Sequence, residues 1–91
     1  AAVKSGNANR SKQLLRDVVA LNSEKNVNSV MLQLLFTEII ATVTKAAMQL
    51  EKYRDGDLGE CFTLVSGLKN NKNQINDICR IFEEYIEYLE Q

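Results

Sequence analysis

The chain is predicted to be all-α, a helical bundle or antiparallel coiled coil of two long helices plus a short N-terminal helix. Three observations in its 91 residues carry that prediction. Proline is absent and turn residues seldom cluster, so a many-stranded fold would lack its punctuation. Apolar residues between Leu58 and Leu89 recur on two interleaved seven-residue ladders, the seam of a helix packed along its length. One ladder is Leu58, Val65, Lys72, Cys79 and Ile86; the other is Cys61, Leu68, Ile75, Phe82 and Leu89. The stretch Val30–Arg54 shows the same three–four spacing through Leu32, Phe36, Ile39, Val43, Ala46, Leu50 and Tyr53.

Residues 1–9 are small and polar and read as a flexible lead-in to a single helical domain over 10–91. Ser11 is the expected N-cap of the first helix, whose apolar face is Leu14, Leu15, Val18, Val19 and Leu21 and whose end is near Asn22. About eleven residues are too few to hold a helix alone, so it must dock on the longer helices. The asparagine- and serine-rich run 22–29 reads as a loop. In the second helix Val30, Met31, Leu34, Leu35 and Ile40 fall off the main stripe, which makes it central or pressed between two neighbours. Its polar residues, among them Gln33, Glu38, Thr42 and Lys45, argue against a membrane span.

Asp55-Gly56-Asp57 supplies a turn. Asp57 followed by Glu60 has the spacing of a capping box, which would open a third helix from Leu58 to about Leu89, about 48 Å long if unbroken. Gly67 and the asparagines at 70, 71, 73 and 76 are poor helix formers. The ladders nevertheless cross this patch without changing phase. That continuity predicts one long helix, bent or frayed near Gly67.

Composition sets the functional bounds. A chain with 45% hydrophobic and 25% charged residues is an ordinary globular domain. Residues 1–54 hold eight Lys/Arg against four Asp/Glu, and residues 55–91 hold three against eight. Either the two ends of a bundle attract one another, or an acidic end awaits a basic partner. Nucleic acid is excluded as a partner, because phosphate binding wants a concentrated basic face. Histidine is absent, which removes the usual general base and every Ser–His or Cys–His pair. No phosphate-binding loop is present. Glu83, Glu84 and Glu87 lack the Glu-x-x-His context of a helical carboxylate metal site and read as a solvated face. The chain is expected to be no enzyme and to carry no cofactor. Cys61 and Cys79, on one helix, would lie about 27 Å apart, out of disulfide reach. Free thiols on an apolar face suit a reducing, cytoplasmic compartment.

Other features point to a partner. Lys72 stands in an apolar seam, where a lysine either fixes register or snorkels its ammonium to water. Glu83, Glu84, Glu87 and Glu90 load a helix C-terminus with negative charge that opposes its dipole, so the helix continues or a basic surface covers it. Tyr88 sits off the seam, as an interface anchor or a half-buried rim residue. The candidate interface is therefore Val30, Met31, Leu34, Leu35 and Ile40, with Leu68, Lys72, Ile75, Phe82, Tyr85 and Tyr88. The expected function is a non-enzymatic interaction module, a helical scaffold that hetero-oligomerises with another helical chain. The alternatives are a self-contained adaptor for a small partner or a short helix, and a cytosolic chaperone for an amphipathic secretion subunit.

The segment Leu68–Ile86 (LKNNKNQINDICRIFEEYI) resembles the last helix of the GAT domain of clathrin adaptors and related endosomal sorting proteins. Leu68, Ile75, Ile78 and Phe82 take that family's apolar places. Asn26-Val27 and the Met31-Leu32 region look like part of its first helix. The Asp of the family's Asn-Asp pair is missing, with Lys72 and Asn73 standing nearby. The resemblance covers about half the chain. It implies a three-helix module binding ubiquitin or other sorting factors, or a half-module completed by a second chain. It also implies a place at the cytoplasmic surface of endosomal membranes, reached only through partners.

Overall fold

A computed structural model describes residues 6–23, 28–68 and 72–91. Among them are four helices and no strand: α1 (Gly6–Asn22), α2 (Ser29–Gln49), α3 (Gly59–Ser66) and α4 (Lys72–Glu90). They pack into one body with extents of 42 × 24 × 17 Å.

The first helix begins earlier than Ser11. Its inward positions are Ala8, Ser11, Leu14, Leu15, Val18 and Asn22, a helical series that opens inside the expected lead-in. Ser11 is a fully buried interior residue, not a cap, and its hydroxyl donates to the Asn7 carbonyl at 2.7 Å. A serine inside a helix satisfies itself by bonding back one turn, and its small volume lets a neighbouring helix approach. Residues 24–27 of the expected loop lie outside the described residues.

Asn28 caps α2, its Oδ1 accepting from the Val30 and Met31 amides at 2.9 and 3.4 Å. This satisfies two of the free donors at a helix start. The helix ends near Gln49 instead of reaching Arg54. Glu51 takes φ 57°, the Glu51 amide donates to Met48 O, and the Lys52 amide donates to Ala47 O at 2.8 Å. That is the paired-bond stop of a Schellman cap, with glutamate where glycine is usual.

The third helix is divided. α3 stops at Gly67, whose amide bonds Thr63 O, and α4 starts at Lys72. Nine of the ten ladder positions are buried all the same, on both sides of the break. Lys72, the exception, is exposed in the first turn of α4, so it neither sits in a seam nor sets a register. The capping box is absent as well. Leu58 takes the N-cap position of α3 without a side-chain bond, and Asp57 pairs with Arg54. Gly56, at φ 89°, makes the turn that a residue with a Cβ would resist.

The core sits between α1, α2 and α4. The rings of Phe36 and Phe82 stack there, centroids 6.0 Å apart and planes 16° from parallel, both fully buried. Phe36 meets Phe82, and Lys52 beyond the end of α2 meets Tyr88, so α2 and α4 run parallel. Lys12 near the start of α1 pairs with Glu90 at the end of α4, so these two run antiparallel. The return across the Asp55–Asp57 turn is thus short: it ends with α3, whose Val65 carbonyl meets Gln33 near the start of α2, and α4 then runs back alongside α2. By length and composition α2 could cross a bilayer. In this fold its residues Leu32, Phe36, Ile39, Val43 and Ala46 form the bundle core.

Candidate protein-interaction surface

The eleven residues expected at an interface divide into buried, half-buried and exposed groups. Leu68, Ile75, Phe82 and Tyr85 are buried against other elements of the same chain. The seam is filled intramolecularly, so these residues do not wait for a second chain. Ile40 is buried, Leu35 and Tyr88 are half-buried, and Lys72 is exposed. Val30, Met31 and Leu34 remain on the surface, Val30 at 60% and Leu34 at 62% exposure.

Val30 and Leu34 stand one turn apart on α2. Across from them on α3 is Phe62, 57% exposed, and together they line an open groove of about 400 Å3 with Ile40 and Val65. No charged side chain lines it. Its polar lining is already satisfied. Gln33 Nε2 donates to Val65 O at 3.3 Å, Thr37 Oγ1 to Gln33 O at 2.7 Å, and Ser66 Oγ to Phe62 O at 2.8 Å. The Gln33 bond also ties α3 to α2 and holds the groove's width. A surface with large exposed apolar groups and no open polar demand gains most from apolar contact. The α2 wall is legible in the sequence, whereas Phe62 is not among the residues expected at the interface. Phe62 follows Cys61 and lies off both ladders, on the side of α3 that faces away from the core.

The other end of the molecule is organised by charge. Lys12 pairs with Glu90, and Arg10 with Glu38 at 3.3 Å. Lys52 Nζ donates to the carbonyls of Tyr88 at 3.2 Å and Leu89 at 3.3 Å, where α4 leaves its acceptors unpaired. A cation from the same chain thus closes the carbonyl end of α4. Arg54 and Lys52 also lie over the Tyr88 ring, 5.5 and 5.4 Å from its centroid, a cation–π contact at each. Tyr85 stacks on Tyr88 at 5.8 Å. Its buried hydroxyl meets no acceptor at hydrogen-bonding geometry; burial raises the phenol pKa, and the nearby Asp57 charge adds to the rise.

Cys61 and Cys79 are both free and buried. Burial, with Glu60 and Glu83 nearby, pushes their pKa from 9.0 to about 11. The nucleophile is the thiolate, so these sulfurs are inert at neutral pH. No group of three acidic, cysteine or histidine side chains among the described residues could hold a metal ion. The chain matches no family model, no curated protein and no solved structure.

Proposed function

We propose that the chain is a non-enzymatic protein-interaction module that takes an amphipathic helix of a partner into the groove between α2 and α3. One observation carries this reading: Val30, Leu34 and Phe62 stand exposed around a single groove whose polar neighbours are internally bonded. Two helix ridges flanking a furrow are the usual receptacle for a third helix, read through anchors spaced three or four residues apart. The core closes without help from a second chain, so the partner adds to a folded module. Inert buried thiols support a cytoplasmic setting, with any membrane association arising through partners.

The test is titration of the isotope-labelled chain with amphipathic helical peptides and, separately, with ubiquitin. Binding should shift the resonances of Val30, Leu34 and Phe62, and Leu34→Asp or Phe62→Asp should weaken it at least about tenfold while helix content is kept. Shifts with ubiquitin would make the module a ubiquitin adaptor of the endosomal sorting kind. Peptide binding elsewhere on the surface would rule the groove out as the docking site.

A further inference from the structure

A second groove, of about 630 Å3, runs between α1 and α4, on residues that the α2–α3 reading does not use. Its apolar lining includes Leu15, Val19 and Ile86, of which Val19 is 52% exposed. One rim, from α1, is basic through Lys12 and Arg16; the other, from α4, is acidic through Glu83, Glu87 and Glu90. Lys12 and Glu90 pair across it within the chain. Arg16, Glu83 and Glu87 have no ion-pair partner among the described residues. Because the helices are antiparallel, one turn along α1 from Lys12 brings Arg16 level with Glu87, one turn back from Glu90.

This arrangement is complementary to itself. We propose that two copies of the chain associate through the α1–α4 face about a twofold axis running along the groove. Such an axis keeps height along the groove and exchanges its sides. The α1 of each copy then lies over the α4 of the other, Arg16 against Glu83 and Glu87, with Val19 covered at the centre. An axis across the groove would set α1 on α1 and α4 on α4, bringing like charges together, so charge selects one arrangement. The occupant is a second copy because one surface supplies both signs at matched heights.

Sedimentation of the whole chain at low ionic strength tests this directly. A dimer should form at roughly 100 μM and weaken as salt rises. Arg16→Glu alone, or Glu83→Arg with Glu87→Arg, should weaken it at least about tenfold. The triple variant that swaps both rims should dimerise again, a rescue that altered folding would not give. All these side chains are exposed, and circular dichroism reports whether each variant keeps its helices. A chain that stays monomeric through roughly 1 mM at low salt would overturn the proposal, independently of how the variants behave. A dimer that survives Arg16→Glu but is lost in Leu34→Asp would also overturn it, by moving self-association to the α2–α3 groove.

Discussion

Lys52 and Tyr88 hold each other from both ends. The lysine ammonium donates to the Tyr88 backbone carbonyl at 3.2 Å and lies 5.4 Å from its ring centroid, while the Tyr88 hydroxyl reaches the Lys52 carbonyl at 3.5 Å. One residue just past the end of α2 thereby closes the end of α4. This joint sets the two helices parallel and neutralises carbonyls that Glu87 and Glu90 would otherwise leave unfavourable. The acidic terminus is tolerable because a cation is held against it.

Lys52→Met keeps the apolar stem and removes the charge and its donors. It should lower stability by about 1 kcal/mol, the scale of a charge-assisted cap at a helix C-terminus. Denaturant unfolding measures the loss, and hydrogen exchange should quicken in the last turn of α4 before it does in α2. Uniform quickening in both helices would mean that the joint does not act locally.

Phe82→Ala should be far more damaging. It empties the site opposite Phe36, where both rings are fully buried, and large-to-small changes of this kind cost about 3–5 kcal/mol. Phe62→Ala, on an exposed ring, should cost less than about 1 kcal/mol. Equal losses in chemical denaturation would contradict the division between core and groove aromatics.

Glu51→Gly should stabilise the protein. Glu51 holds φ 57° as the left-handed residue of the α2 cap, a conformation that costs a residue with a Cβ about 1–2 kcal/mol. Glycine removes that cost but is freer in the unfolded chain, leaving a gain of about 0.5–1 kcal/mol. A fall in melting temperature would mean that the glutamate side chain has a role its geometry does not reveal.

The cysteines give a pH signature. Their thiols titrate near 9.0 when unfolded and at about 11 in the fold, so between these values the unfolded chain binds fewer protons. Their contribution to stability is fully present below pH 9 and is lost as pH rises through that window. Replacing both cysteines with alanine should flatten this part of the profile in urea unfolding. At pH 8 a thiol reagent should label the native chain only as fast as it opens.

Legibility in the sequence depends on how each signal arises. Burial is written in apolar spacing, and nine residues of the Leu58–Leu89 ladders are buried as that spacing predicts. Part of the inward face of α1 escapes because Ala8, Ser11 and Asn22 are small or polar. Their spacing is helical, but their chemistry is silent. Met31, Val30 and Leu34 are identifiable as off-stripe apolar residues, and the structure leaves all three exposed. Phe62 also lies off the ladders, but only the packing of α3 beside α2 sets it across from Val30 and Leu34.

The amino-acid sequence by itself therefore determined that the chain is helical, which ladder residues are hidden, and which part of α2 has apolar groups to spare. Those are properties of local periodicity and transfer from water, and they survive any arrangement of the pieces. Only the tertiary structure decided that the ladder is cut at Gly67, that α4 runs parallel to α2, and that the seam closes within one chain. A helix of about 48 Å would have outrun the 42 Å length of the whole molecule. Folding it into two pieces let the same apolar face reach α1 and α2 at once, and it opened the groove at Phe62.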